Sequence, residues 1–371
     1  MDDIKGNNIP VLSTGKCIDT LTFMYSQVIR NNVDFSKMPS VMLWGPPGVG
    51  KSQAIRSFAK EIERLTDKKV DVTDVRLLLF NPIDLRGIPT ANEDKTLAVW
   101  LKPQIFQMDE SKDKVNILFL DEISAAPPAV QAAAYQITLD RVIGEHKLPD
   151  NCIVIAAGNR VTDKSVAYAM PKALANRLLH LEIESNFDSW NKWAIQKGIN
   201  EKVLGFLKFR PNYLIETNLT SSTLAYPTPR TWEMVSNILN SVNGSFNDIY
   251  PLISGLVSKG VAVEFRTWFN VYKDLPNIED IFNGKDVAVP TRTDVLFALI
   301  TSMVVYAKKH KDDLTKIENS IRYAMKLTPD YSTILLKDYM YLEKDYKKTL
   351  IRIPIFKRWL ESKGRLLDEL N

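Results

Sequence analysis

The sequence is poor in the residues that disulfide frameworks and metal centres use. Its 371 residues include two cysteines, Cys17 and Cys152, and three histidines, His146, His180 and His310. Two cysteines without a Cys-x-x-Cys spacing cannot build a disulfide framework, and histidines this far apart lack the spacing of a metal site. Cys152 lies in an apolar run and is predicted to be a small core residue. The cysteine usage indicates a reducing compartment.

Long apolar runs are also missing. The longest apolar stretch, Leu296–Ala307, has 12 residues, which is too short to span a bilayer and suits a buried helix. The amino terminus, Met1-Asp2-Asp3, is acidic and polar, unlike a signal peptide. We therefore expect a cytoplasmic protein without a membrane span.

Neither sign of charge is in large excess. The 48 basic and 44 acidic residues give a net charge of +4. Residues 1–190 carry a balance of −2 (22 basic, 24 acidic), and residues 191–371 carry +6 (26 basic, 20 acidic). Hydrophobic residues at 45% and charged residues at 25% are typical of a globular chain and exclude disordered, collagen-like and coiled-coil classes. The length predicts two domains.

Apolar runs alternate with helical patterns in the first half of the chain. The runs lack clean alternation, as do strands buried on both faces of a parallel sheet. They are Val41–Trp44, Arg76–Phe80, Asn116–Leu120, Cys152–Ala157 and Leu178–Ile183, and helical periodicity covers Ser52–Leu65, Ala129–Leu139 and Lys172–Asn176. This order predicts an α/β class with a doubly wound, parallel, five-stranded sheet. The strand signal fades after Glu184, so we expect domains at residues 1–188 and 189–371, the second all-helical.

A glycine-rich loop follows the first of these strands. It reads Gly45-Pro46-Pro47-Gly48-Val49-Gly50-Lys51-Ser52 and fits G-x-x-x-x-G-K-[ST] between a strand and a helix, the context that the motif requires. Glycines let backbone N–H groups surround phosphate oxygens, and the helix start offers free N–H groups to the anion. Lys51 is expected to reach the β- and γ-phosphates of a nucleotide, and Ser52 to ligate Mg²⁺.

An acidic pair ends the third apolar run. Val115–Leu120 is followed by Asp121 and Glu122, at the carboxyl end of a strand where such sheets hold ligands. Asp121 is expected to hold Mg²⁺, and Glu122 to polarise an attacking water as general base.

The next strand ends in Ala156-Ala157-Gly158-Asn159-Arg160. Together with the phosphate loop and the acidic pair, this stretch resembles the AAA+ ATPase superfamily, over about residues 39–235. The resemblance implies that ATP is bound and hydrolysed with Mg²⁺, and that Asn159 is the sensor 1 residue that orients the lytic water.

Two arginines also match the superfamily pattern. Arg177 closes the run Met170–Arg177 and resembles the arginine finger, which reaches the nucleotide of a neighbouring subunit. Arg230 follows Tyr226-Pro227-Thr228-Pro229 and resembles the sensor 2 arginine at the start of a helical lid. The alternative for each is a surface arginine at a helix end.

Further stretches resemble the MoxR-like branch. Asn81–Pro89 with Ala98–Pro103 resembles the insertion into helix 2, and Arg141–Pro149 resembles the hairpin before sensor 1. Ordinary hairpins without a role in a pore are the alternative. The resemblance implies a homo-oligomeric ring, expected to be a hexamer, that acts as a chaperone on a client or partner protein, which in this branch can be a separately encoded von Willebrand factor A domain protein. Residues 245–371 match no motif and form a helical extension of the lid domain.

Two other functions stay open. One is a nucleotide-gated binding module with little turnover, and the other is a DNA-directed AAA+ motor or loader. The second depends on residues 344–365, which hold 8 basic and 2 acidic residues with interleaved apolar ones. This segment is either a nucleic-acid surface or, as we favour, an amphipathic helix with solvated charges.

Overall fold

A computed structural model of the protein describes residues 9–160, 168, 170–216, 223–242 and 244–368. The chain forms two compact units, Met1–Asn186 and Phe187–Asn371. The first contains every strand of the described chain, and the second contains only helices and turns there. An α/β unit with a parallel sheet, followed by a helical region, is therefore confirmed.

Six strands of the first unit form one parallel sheet. The described residues of this unit contain ten strands in all, which are β1 (Val11–Ser13), β2 (Val41–Trp44), β3 (Lys69–Arg76), β4 (Ile88–Ala91), β5 (Ala98–Leu101), β6 (Lys114–Asp121), β7 (Val142–Ile143), β8 (His146–Lys147), β9 (Cys152–Gly158) and β10 (Leu179–Glu184). The sheet has the order β1-β10-β2-β9-β6-β3. Strand β9 is buried throughout, which explains why its sequence is apolar without alternation.

The expectation of five strands was wrong, and so was the position of one of them. Strand β1, only three residues long, pairs with β10 and adds the sixth strand at one edge. At the other edge β3 is Lys69–Arg76, whereas the segment assigned from sequence, Arg76–Phe80, is mostly a turn of 3₁₀-helix, Leu77–Leu79. Edge strands carry charged, exposed residues, so β3 lacks the apolar run by which the central strands were recognised.

Helices cover both faces of this sheet. They are α1 (Thr14–Arg30), α2 (Lys51–Thr66), α3 (Pro82–Arg86), α4 (Pro128–Asp140) and α5 (Lys172–Ala175). Leu43 of β2 packs into a core with residues of α1 and α2, and its neighbour Met42 packs into a second core with residues of α4. Successive side chains of a strand point to opposite faces, so one short strand supplies both cores.

Two small hairpins project from the first unit. Strands β4 and β5 pair antiparallel, as do β7 and β8. A ring nitrogen of His146, Nε2, lies 2.8 Å from the carbonyl oxygen of Trp100, which joins the second hairpin to the first. At Gly144 φ is +57°, and a Cβ there would lie 2.4 Å from the carbonyl oxygen of Arg86. This turn therefore requires glycine, both for its backbone conformation and for the close approach.

The second unit is built from helices around one core. They are α6 (Phe187–Lys197), α7 (Glu201–Phe209), α8 (Pro229–Ser241), α9 (Phe246–Val257), α10 (Lys259–Val271), α11 (Ile278–Phe282), α12 (Thr293–Lys309), α13 (Leu314–Ala324), α14 (Pro329–Tyr339), α15 (Lys347–Leu350) and α16 (Pro354–Asp368). Aromatic rings fill the centre: Phe206 lies 5.5 Å from Trp232 and 5.3 Å from Phe265 between ring centroids. Because α12 belongs to this core, the apolar stretch Leu296–Ala307 is a buried helix.

The basic segment near the carboxyl terminus is amphipathic. Leu350, Ile353, Phe356 and Trp359 are buried in the helical core, whereas the basic side chains between them are exposed. Rings in that position are not available to stack on nucleotide bases. The apolar side of this segment serves packing, as an amphipathic helix predicts.

Candidate active site

The phosphate loop has a backbone that only glycine accommodates at its bends. It connects β2 to α2, and φ is +153° at Gly45, +79° at Gly48 and +100° at Gly50. A Cβ on Gly45 would lie 2.5 Å from the carbonyl oxygen of Ile183 in β10. The loop therefore starts at the end of β2, and glycine at these positions lets its backbone curve back to the start of α2.

The ammonium group of Lys51 lies inside this loop. The residue is only 8% exposed, and Nζ donates to the carbonyl oxygens of Gly45 at 2.6 Å and Pro46 at 3.1 Å. It also donates to Oδ1 of Asn159 at 2.8 Å. A buried ammonium needs such partners, and its position at the helix start suits an anionic group.

Ser52 and Asp121 are brought together from two different elements. Oγ of Ser52, at the start of α2, donates to Oδ2 of Asp121, at the end of β6, at 2.8 Å. A hydroxyl and a carboxylate at this distance are oxygen ligands of the kind that Mg²⁺ prefers, with phosphate and water completing its shell. No group of three or more His, Cys, Asp or Glu side chains in the described chain could hold a metal by itself.

Glu122 has an unusual backbone. Its φ is +60°, and its amide donates to Oδ1 of Asp121 at 2.9 Å. A positive φ is costly for a residue with a side chain and occurs at sites that hold a group in a set position. The strand thus ends at Asp121 with a sharp change of direction, and the half-exposed Glu122 follows it directly.

Asn159 is held at the end of β9 by its backbone as well as by Lys51. Its amide donates to Oγ of Ser124 at 2.8 Å. A Cβ on the preceding residue, Gly158, would lie 2.9 Å from the same Oγ, so the backbone of β9 approaches Ser124 closely. Two hydrogen-bonded pairs, Lys51 with Asn159 and Ser52 with Asp121, therefore lie at the carboxyl ends of the three neighbouring strands β2, β9 and β6, and Glu122 is next to Asp121.

The two arginines lie outside this group. Arg177 is in the exposed turn between α5 and β10, and among the described residues nothing accepts a hydrogen bond from its guanidinium. Arg230 is the second residue of α8 in the second unit, and its side chain is exposed. Thr228 caps α8, accepting from the amide of Thr231 at 3.1 Å, so the segment begins a helix there.

Two residues of the site were missed by sequence reasoning. Thr14, at the start of α1, donates from Oγ1 to the carbonyl oxygen of Val49 in the phosphate loop at 3.3 Å. Ser124 supports Asn159 as described. Neither belongs to a recognisable spacing. Ser124 could have been suspected from its position, because it lies three residues after Asp121, just beyond the end of β6.

Residues 41–180 match the model of the family described as "ATPase family associated with various cellular activities (AAA)". The matched segment runs from β2 to the start of β10 and so includes the phosphate loop, the acidic pair, Asn159 and Arg177. At the level of the superfamily, the resemblance drawn from the motifs is confirmed for this segment. Nothing in the match distinguishes the MoxR-like branch.

Similarity to individual proteins is lower. Replication factor C subunit 4 of Homo sapiens is 25% identical over 151 residues, which are 40% of this chain and 39% of that protein. The chain thus matches well under half of the length of this curated relative. Among solved structures, a RuvB mutant of Thermotoga maritima has a TM-score of 0.37 and 16% identity, covering 78% of this chain and 81% of that one. PCH-2 of C. elegans has a TM-score of 0.35 and 14% identity, covering 81% and 69%. Similarity this low carries no argument about function.

No helix within the described residues is long and apolar enough to cross a membrane.

Proposed function

We propose that the protein is a Mg²⁺-dependent AAA+ ATPase of the MoxR-like type, which works as a ring-shaped oligomer in the cytoplasm and remodels or activates a partner protein. The observation that carries the proposal is the pair of hydrogen bonds that join Lys51 to Asn159 and Ser52 to Asp121, with Glu122 next to Asp121. Phosphoryl transfer to water requires an ammonium group, a hydroxyl, carboxylates and an amide. In this protein such side chains lie together at the carboxyl ends of neighbouring strands of one sheet.

Each member has a role that follows from its chemistry. The phosphate loop, Gly45 to Ser52, binds the phosphates through its backbone N–H groups, and Lys51 turns from its present carbonyl partners to the β- and γ-phosphates. Ser52 and Asp121 would hold Mg²⁺, and the ion would supply positive charge that neutralises the charge on the phosphate oxygens. Glu122 accepts a proton from the attacking water, and Asn159 orients that water.

The position of Arg177 supports the proposed oligomer. It is exposed, and within the described residues nothing accepts a hydrogen bond from its guanidinium, so this group is free to reach the site of a neighbouring subunit. An arginine supplied in this way accelerates phosphoryl transfer by about 10³–10⁵ in enzymes where it has been measured. We expect six subunits per ring. Residues 1–188 then form the nucleotide-binding core, and residues 189–371 form the lid, whose Arg230 senses the γ-phosphate, together with the helical extension.

The hairpin β4–β5 supports action on a partner protein. Three of its apolar side chains are unusually exposed: Ile88 at 60%, Leu97 at 67% and Leu101 at 57%. Grouped exposed apolar side chains are typical of surfaces that contact other proteins. In this proposal β4–β5 is the helix-2 insertion and β7–β8 is the hairpin before sensor 1. The client is a protein, for which a separately encoded von Willebrand factor A domain protein is the first candidate.

The assignment of the site is tested with two variants and a control. Glu122→Gln should bind ATP with unchanged affinity but release phosphate about 10²–10⁴ times more slowly, because the general base is lost. Lys51→Ala should lose ATP binding. Glu93→Gln, in the exposed loop of the first hairpin, is the matched control and should behave as the unmodified protein. Wild-type turnover by Glu122→Gln would contradict the assignment. Particle mass with and without ATP tests ring formation.

A DNA-directed motor or loader is a second candidate. Lys347, Arg352 and Arg358 are exposed, and no carboxylate of the described chain pairs with them. A relative of part of the chain is named as a replication factor subunit. A DNA titration at increasing salt tests this candidate, because phosphate contacts weaken steeply with ionic strength. Phosphate release measured with and without partners separates both functions from a nucleotide-gated module with little turnover.

A further inference from the structure

A histidine joins the strand that leads into the phosphate loop to the turn that carries Arg177. Trp44 is the last residue of β2 and directly precedes Gly45. Its indole Nε1 donates to Nδ1 of His180 at 2.9 Å, and the two rings are stacked with an angle of 16° between their planes. The other ring nitrogen of His180, Nε2, lies 2.7 Å from the carbonyl oxygen of Ala175, the last residue of α5.

The partners define the state of the imidazole. An indole N–H can only donate, so Nδ1 of His180 must accept. A carbonyl oxygen can only accept, so Nε2 must carry the proton and donate to Ala175. The neutral ring protonated at Nε2 satisfies both partners at once. The hydrogen bond with Trp44 joins the neighbouring strands β2 and β10 across 136 positions of the sequence, whereas the one with Ala175 joins residues only five positions apart.

The hydrogen bond from His180 ends in the turn that carries Arg177. Ala175 is two residues before Arg177, and its carbonyl also accepts from the amide of Leu178 at 3.3 Å. The amide of Arg177 donates to the carbonyl of Leu174 at 3.1 Å. Helix α5 has only four residues, so it gives this turn little rigidity of its own. The hydrogen bond from His180 therefore ties a short, exposed segment to the central sheet.

We propose that His180 is a positioning residue that holds Arg177 in the orientation needed by the neighbouring subunit and couples it, through Trp44, to the phosphate loop of its own subunit. A shift of the loop on nucleotide binding would move Trp44 and, through His180, the turn that presents the arginine to the next site. This inference rests on the proposed function, in which Arg177 acts between subunits.

The test separates the subunit that gives the arginine from the subunit that hydrolyses. A donor subunit, Lys51→Ala, binds no nucleotide but keeps Arg177. An acceptor subunit, Arg177→Ala, keeps its nucleotide site but gives no arginine. The two are co-expressed with different tags and purified over both, and phosphate release is measured against ATP concentration. The mixed assembly should be active, because donor arginines complete acceptor sites.

His180→Asn is then placed in one subunit at a time. Asparagine keeps an acceptor near the position of Nδ1 for Trp44 but is too short to reach Ala175. In the donor it should lower kcat by about 2- to 10-fold, the equivalent of one hydrogen bond, and leave KM for ATP unchanged. In the acceptor it should have no effect. His180→Gln, whose amide nitrogen can replace Nε2, should restore most of kcat when placed in the donor.

A matched control and the opposing outcomes complete the design. His310→Asn in the donor changes another stacked histidine, 4.4 Å from Tyr306 between ring centroids in the second unit, and should leave kcat unchanged. Equal loss with His180→Asn in donor and acceptor, or no loss in the donor, would overturn the positioning role. An inactive mixture of the two parent subunits would instead overturn the assignment of Arg177 and this inference with it, while the results for Glu122→Gln would stand.

Discussion

Nζ of Lys51 donates a hydrogen bond to Oδ1 of Asn159 across 2.8 Å. The contact joins the phosphate loop after β2 to the end of β9. In the proposed function Lys51 binds phosphate and Asn159 orients the attacking water. Asn159 therefore helps to hold the ammonium group within the loop, and in the proposed function phosphate would replace it as the partner of Lys51.

This contact predicts different results for two substitutions of Asn159. Asn159→Ala removes the amide that we propose to orient the water, and kcat should fall by about 10²–10³ with the Kd of ATP nearly unchanged. Asn159→Asp places a carboxylate beside Lys51, which pairs with the ammonium and repels phosphate, so the Kd should rise as well. Phosphate release and equilibrium binding of a fluorescent nucleotide measure the two quantities. Equal Kd values for the two variants would contradict the role given to the contact.

The contact between Ser52 and Asp121 predicts a defect in the use of metal. Ser52→Ala and Asp121→Asn should each raise the Mg²⁺ concentration that gives half-maximal phosphate release, because each removes an oxygen ligand or its charge. Ser57→Ala, on the same helix α2, is the matched control and should leave the Mg²⁺ dependence unchanged. An unchanged Mg²⁺ titration for Asp121→Asn would show that this carboxylate does not hold the ion.

The sequence predicted those parts of the fold and site that have a strong local signal. The phosphate loop has a fixed spacing of glycines, and the central strands have continuous apolar runs because both faces are buried. Strand β3 was misplaced because an edge strand carries charges, and β1 was missed because three residues give no pattern. The contacts of Thr14 and His180 depend on strands and loops that meet only in the folded sheet, so no spacing along the chain could reveal them.

Gly45 is predicted to be intolerant of a side chain. With φ at +153° and a Cβ position 2.5 Å from the carbonyl oxygen of Ile183, Gly45→Ala should cost about 1–3 kcal/mol and weaken ATP binding. The control is Gly255→Ala, in helix α9, where nothing lies within 4 Å of the added Cβ. It should stabilise by about 0.5–1 kcal/mol, because alanine favours helix. Differential scanning calorimetry compares the two variants, and a Gly45→Ala protein as stable as the parent would contradict the close approach.

Both thiols are predicted to be unreactive in the folded protein. Burial raises the pKa of the Cys17 thiol to about 12 and that of Cys152 to about 11, so the reactive thiolate is scarce at neutral pH. A colorimetric thiol reagent at pH 8 should label neither cysteine within the time that labels both in urea. Rapid labelling of the native protein would show that the cores around these residues open readily.

A buried ion pair in the second unit predicts strongly non-additive effects on stability. Lys208 and Asp338 are 7% and 2% exposed, Nζ of the lysine donates to Oδ2 of the aspartate, and Nδ2 of Asn191 donates to Oδ1 at 2.8 Å. Lys208→Met or Asp338→Leu alone should each lower the free energy of unfolding by about 3–5 kcal/mol, because each leaves a buried charge without its partner.

The double substitution Lys208→Met/Asp338→Leu should recover most of that loss, since no buried charge remains. A residual cost of about 1–3 kcal/mol is expected, because Asn191 loses its acceptor. The exposed pair Arg322 and Glu318 on α13 is the control, for which removal of either partner should cost no more than about 1 kcal/mol. Urea unfolding followed by tryptophan fluorescence measures all the variants, since five of the seven tryptophans lie in the second unit. If the losses of the two single variants simply add in the double variant, the charges of Lys208 and Asp338 do not stabilise each other, and the packing of their side chains accounts for their burial.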